Sequence, residues 1–169
     1  MKKLLLVTLS MILTSVLFAG SAAPATAKEP KILEFDTMVG VPTGLTGAQS
    51  APVLRGVNGG GLPWKLTSAH GELKASGKLE IEVQGLVLAA GANTGSNPIA
   101  VFRALVSCLG SDGSSQNILT EPFPATTGPA SSGGGNAKIE TTVALPQPCI
   151  APIIFVTNNG GAWFAATGR

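Results

Sequence analysis

The chain has no tyrosine, a single histidine, only two cysteines and two tryptophans, and few charges, with 11 basic and 9 acidic residues in 169. Each scarcity removes a class of function. Without tyrosine, and with Trp64 and Trp163 as the sole indoles, the aromatic platforms typical of carbohydrate-binding faces and paratopes are thin. The tyrosine corner of many Greek-key sandwiches is excluded outright. One histidine and no acidic run give no zinc spacing. "SDGSSQN" around Asp112 lacks the acidic density and closing Glu of a calcium loop, so neither a metal nor a cofactor is expected. No cluster of Lys or Arg forms a footprint for nucleic acid or anionic lipid.

What is abundant is apolar character, glycine and proline: 44% hydrophobic residues, 22 Gly and 12 Pro. The first apolar run is a leader. "MKKLLLVTLSMILTSVLFAGSAAPATA" places Lys2 and Lys3 before an apolar stretch from Leu4 to Ala19, then small residues ending in Ala25-Thr26-Ala27. That order reads as a secretory signal over residues 1–27, leaving residues 28–169 as one domain and no membrane anchor after cleavage. Loss of Lys2 and Lys3 leaves nine basic against nine acidic residues. The expected location is secreted, or periplasmic if the envelope has an outer membrane. In such a compartment Cys108 and Cys149 are expected to pair. Their disulfide would close a loop of about forty residues, contributing roughly 3–4 kcal/mol. Whether it joins two sheets or neighbouring strands is open at this point.

The period is two almost throughout. "KLEIEV" alternates Leu79, Ile81 and Val83 with Lys78, Glu80 and Glu82, a strand with one wet face. "ELKASGKLE" is nearly symmetric about Ser76, which sets Leu73 opposite Leu79 and Glu72 opposite Glu80, with Gly77 at the left-handed position of a three-residue loop. "IAVFRALVSCL" is apolar on both parities, as at a sheet centre. "ILEFDTMV", "KIETTVAL", "IIFVT" and "GAWFAAT" supply further strands, and Pro152 restricts "IAPIIFVT" to an edge or a bulge at its start. Opposite parities put Trp163 and Phe164 on opposite faces, so that one of them faces solvent or covers a neighbouring loop. Seven to nine short strands joined by Gly-rich loops predict an all-β fold. An antiparallel β-sandwich with immunoglobulin-like layers is the first expectation and a small β-barrel the second.

"GVNGGGLPWK", residues 56–65, is the stretch that most resembles a site. It lacks Walker or Rossmann spacing and no helix follows, so it is a loop rather than a phosphate cradle. Asn58 and Trp64 in this loop, with Arg103 interrupting an apolar strand, are the candidate ligand-contacting residues. A tryptophan so placed either stacks on a ligand or anchors the core. Arg103 either holds an anion or pairs with a carboxylate at the sheet rim. For catalysis, His70 could combine with Ser68 or a carboxylate, and Glu80 with Glu82 could serve a glycosidase. No G-x-S-x-G elbow accompanies them, and the Glu pair beside Lys74 and Lys78 suits a solvated face.

"FDTMVGV", "RGVNGGGLPW", "GELKASGKLEIEVQGLVL", "FRALVSC", "FPATT" and "PCIAPIIFVT" with "AWFA" resemble a group of small secreted bacterial proteins of uncharacterised function. The resemblance spans most of the mature domain and implies no activity, ligand or catalytic residue. The expectation is a non-enzymatic binding or structural module whose partner is a cell-surface, matrix or protein ligand. A small secreted hydrolase using His70 is the alternative.

Overall fold

Alternation in the sequence becomes pleat in a computed structural model that describes residues 28–42 and 52–168. Residues 1–27, expected to be a secretory signal, lie outside the described residues. The chain first forms β1 (Lys31–Phe35), β2 (Met38–Gly40), β3 (Val53–Leu54), β4 (Val57–Asn58), β5 (Trp64–Lys65) and β6 (Ser68–Lys74). It continues through β7 (Lys78–Gln84), β8 (Val87–Leu88), β9 (Ser96–Asn97), β10 (Val101–Leu109) and β11 (Ser115–Leu119). The last are β12 (Phe123–Pro124), β13 (Gly128–Pro129), β14 (Ala137–Thr142), β15 (Ile150–Thr157) and β16 (Trp163–Thr167). A single 3₁₀ turn at Ala130–Ser132 is the one helical element among the described residues.

The protein is all-β, and its strands pair antiparallel in several sheets. One has four strands in the order β1-β6-β7-β14. Another has the order β11-β10-β15-β16-β2 with β12 added on β10. Among the described residues no sheet closes on itself, so the barrel expectation fails. The number of strands exceeds the seven to nine expected because the loops contribute seven two-residue strands, β3 paired with β4, β5 with β8, β9 with β13, and β12 on β10. Such short pairings carry too few residues to show a period. β1 and β2 are separated by two residues yet belong to different sheets, which ties the sheets together at one edge.

Both sheets feed one core. Leu73, Leu79, Ile81, Val83 and Ile139 come from the four-stranded sheet, and Phe102, Val106, Ile154, Phe155 and Val156 from the other. β10 and β16 are buried on both parities, as a sheet covered on two faces requires. The disulfide lies within the second sheet. Cys108 on β10 bonds Cys149 just ahead of its neighbour β15, with Cα atoms 4.8 Å apart. The bond therefore joins neighbouring strands. Beside it the register shifts, Ser107 facing Ile153 and Leu109 facing Ile150. Ala151 and Pro152 form the bulge, and Ala151 takes φ 44°. Pro152 needs that bulge because it has no N–H to give a central ladder.

The hairpin β6–β7 has the expected register, Leu73 on Leu79 and Glu72 on Glu80. Gly77 stands at φ 90° at its tip, and a Cβ there would lie 1.9 Å from the Val143 carbonyl oxygen. Gly77→Ala is therefore expected to cost about 2–3 kcal/mol. Left-handed strain supplies roughly 1–2 of this and the displaced backbone the rest. A urea titration checks it; a cost below about 0.5 kcal/mol would mean that the tip does not hold this geometry.

Candidate functional site

The solvent face of the four-stranded sheet collects most of the charge. Register places Glu34, Glu72, Glu80 and Glu140 in one row across β1, β6, β7 and β14. Lys31 bridges Glu34 and Glu72, each at 2.6 Å, and Lys74 adds to Glu72 at 3.2 Å. Lys78 pairs with Glu80 and Lys138 with Glu140. Hydrogen bonds from Lys31 and Lys74 hold the Glu72 carboxyl below its ordinary value, and Lys78 does the same for Glu80. The face is a lattice of mutually neutralised, solvated groups, each pair worth little by itself. No cluster of His, Cys, Asp and Glu among the described residues could hold a metal ion.

His70 belongs to that lattice. It is well exposed and its Nε2 lies 3.6 Å from Glu82 Oε2. Ser68 is two residues away on the same strand, hence about 7 Å along it, beyond hydrogen-bond reach of the ring. Among the described residues no nucleophile is paired with this imidazole. Asp112 is engaged in its own turn, accepting from the Ser114 amide and hydroxyl. Glu80 and Glu82 do share the wet face of β7, as the alternation requires.

The three candidate ligand residues do not converge. Trp64 is 5% exposed, with its ring stacked on Phe164 at a centroid distance of 4.0 Å. It offers no face to a ligand, and its ligand role is corrected to that of a core anchor. The glycines before it explain why. Gly60 donates to the Trp163 carbonyl, and a Cβ at Gly60 would meet the Phe164 ring at 2.6 Å. "GVNGGGLPW" is thus a strap laid against β16. It leaves neither Trp163 nor Phe164 facing solvent, and the Trp163 indole N–H donates to the Pro52 carbonyl. Arg103 Nε donates to the Thr120 carbonyl and Nη1 to that of Asn159. It pins two loops through backbone oxygens, rather than holding an anion or pairing with a carboxylate. Asn58 is exposed on β4, beside a shallow depression of about 290 Å³ that also includes Asn117 and Gly160.

The feature that local sequence reading missed is Arg55. Arg55 and Gly56 form the two-residue loop of hairpin β3–β4, with φ 54° and 77°. Both positive values are those of a type I′ turn, where Asn-Gly is the usual pair and arginine is strained. The backbone is fixed by Asn117 Nδ2, which donates to the Arg55 carbonyl at 3.1 Å. The guanidinium is fixed by its Nη2, which donates at 3.0 Å to the Ala151 carbonyl in the β15 bulge. Nη1 is buried and finds no acceptor among the described residues. Arg55 as a residue lines a recess of about 560 Å³ together with Ile32, Leu33, Cys149, Pro152, Ile153 and Thr167 among others. Two other buried polar atoms lack partners, Trp64 Nε1 and Ser107 Oγ, but both residues belong to the packed interior. Arg55 alone combines a charge, a strained backbone and an open volume. The sequence signal was an Arg-Gly pair where turn chemistry favours Asn-Gly.

Neither a family model, a curated protein nor a solved structure matches the chain.

Proposed function

We propose that the protein is an exported binding module that acts in the extracellular space or cell envelope through the corner built around Arg55. In this reading the leader is cleaved after Ala27, and residues 28–169 form a β-sandwich of immunoglobulin-like layers. Two antiparallel sheets sharing one core support the sandwich, and a disulfide is compatible with an oxidising extracellular or periplasmic location. The observation that carries the binding role is Arg55, a residue that lines a recess and whose buried Nη1 has no acceptor among the described residues. A buried donor without a partner costs stability, about 1–3 kcal/mol. A ligand acceptor would relieve that cost. Placement on loops at the edge of a rigid sheet is where binding groups concentrate.

The test is co-sedimentation of oxidised protein, recovered from the medium or periplasm of expressing cells, with envelope preparations and insoluble polysaccharides. The expected result is a mass beginning at Lys28 and saturable pelleting that His70→Ala leaves unchanged. Absence of pelleting by any preparation would overturn the envelope role. Ester hydrolysis abolished by His70→Ala in a folded protein would establish the hydrolase instead.

A further inference from the structure

The Arg55 recess has walls of two kinds. Ile32, Leu33, Pro152 and Ile153 are apolar, while Arg55 and Thr167 supply polar atoms. Thr167 Oγ1 accepts from the Ile154 amide, and so its own proton remains to be donated. Two donors, one of them cationic, therefore sit beside an apolar volume. None of the described residues lining the recess is acidic, and Arg55 forms no salt bridge among the described residues. The unmet partner is an acceptor, and a charged one suits a guanidinium best.

The rim adds a second observation. Five large apolar side chains are notably exposed: Val39, Val53, Leu54, Leu62 and Ile150. Four of them adjoin residues of this recess, three along the chain and one in space. Val53 and Leu54 precede Arg55 on β3, Ile150 lies between the recess residues Cys149 and Ala151, and the Val39 side chain lies against Gly168. Solvent-facing apolar groups gathered around one recess mark a contact surface for something larger than an ion.

The third is an open sheet edge. β14, at one side of the four-stranded sheet, is partly closed by a bridge between Ala125 and Ala137. β1, at the other side, has no described strand beyond it, and its Ile32 and Leu33 line the recess. An unpaired edge presents N–H and C=O groups to any extended chain laid along it.

From these three together we propose that the recess captures the C-terminal carboxylate of an extended polypeptide with apolar terminal residues. The carboxylate receives hydrogen bonds from Arg55 Nη1 and Thr167 Oγ1. The last side chains rest on Ile32, Leu33 and Ile153, and the preceding backbone runs beside β1 toward the apolar rim. The volume of about 560 Å³ lies within the usual range for sites that enclose a small ligand. This rests on the binding-module reading and names the chemistry of its ligand.

The test is a calorimetric titration of the oxidised protein with acetyl-Ala-Val-Leu bearing a free carboxylate. Its C-terminal amide, octanoate and inorganic phosphate are run alongside. The expected result is saturable binding of the peptide acid, at least tenfold weaker binding of the amide and octanoate, and none of phosphate. Arg55→Gln should weaken the acid at least tenfold while leaving the amide unchanged. Because that variant also loses the contact to Ala151, Ile32→Glu serves as a second. It keeps Arg55 in place and sets a repelling carboxylate on the recess wall, and it too should weaken the acid at least tenfold. Equal binding of acid and amide, octanoate matching the peptide, or no binding of the acid would each overturn the proposal. Envelope pelleting that needs Arg55 without peptide-acid binding would keep the module and discard this ligand. Peptide-acid binding without pelleting would keep the ligand and discard the envelope role.

Discussion

Trp64→Ala is expected to lower the unfolding free energy by about 3–5 kcal/mol, the range for removing a buried indole and leaving a cavity. The ring is 5% exposed, stacks on Phe164 at 4.0 Å, and Phe164 in turn meets Phe102 edge-on at 5.9 Å. Removing the indole takes away the contact on which the Phe164 ring is packed, and with it part of the seat of the glycine strap. Trp64→Phe should cost much less. It gives up part of the volume but also removes Nε1, a buried donor with no acceptor. Urea titrations of the three proteins check both, with the slope unchanged and the midpoint shifted. A cost below about 1 kcal/mol for the alanine variant would mean that the ring is not a core anchor and would return it to the list of ligand contacts.

What the sequence made legible follows the strength of its period. The register of the β6–β7 hairpin could be placed to the residue, because six alternating positions and a symmetric turn agree with each other. The cysteine pairing and the bulge at Pro152 followed from chemistry that admits few alternatives: two thiols behind a leader that reads as a secretory signal, and an imide nitrogen that cannot donate. Trp64 was ambiguous because an indole in a two-residue strand has no period, and its burial depends on Phe164, a hundred residues later. Arg55 was missed for a related reason. Its environment is assembled from β1, the β3–β4 turn, the start of β15 and the end of β16, and no local window contains them all. Arg103 drew attention for its apolar neighbours, yet its acceptors are carbonyls of two distant loops. Long-range geometry separates the two arginines: Arg103 meets two backbone oxygens, whereas Arg55 meets one and keeps a buried Nη1 with no acceptor among the described residues.

Reduction of the Cys108–Cys149 bond is expected to cost about 4 kcal/mol, the chain-entropy value for a separation of 41 residues. In a domain of this size that corresponds to a fall of roughly 12–16 °C in Tm. Comparing melts of the same protein with and without reductant avoids any change in packing volume, which matters because Cys108 is fully buried. The effect should also reach the recess. Cys149 lies two residues before Ala151, whose carbonyl holds the Arg55 guanidinium, and the register shift between β10 and β15 falls beside the bond. Without the cross-link the bulge is retained by its neighbouring ladder bonds and the Arg55 contact, and the orientation of the guanidinium loosens. Peptide-acid affinity should therefore drop at least threefold on reduction, at a temperature where the reduced protein is still folded, while the amide is unaffected. An unchanged Tm would mean that the reduced chain keeps its loop closed by other contacts. A lowered Tm with unchanged affinity would show that the disulfide stabilises the sheet without positioning Arg55.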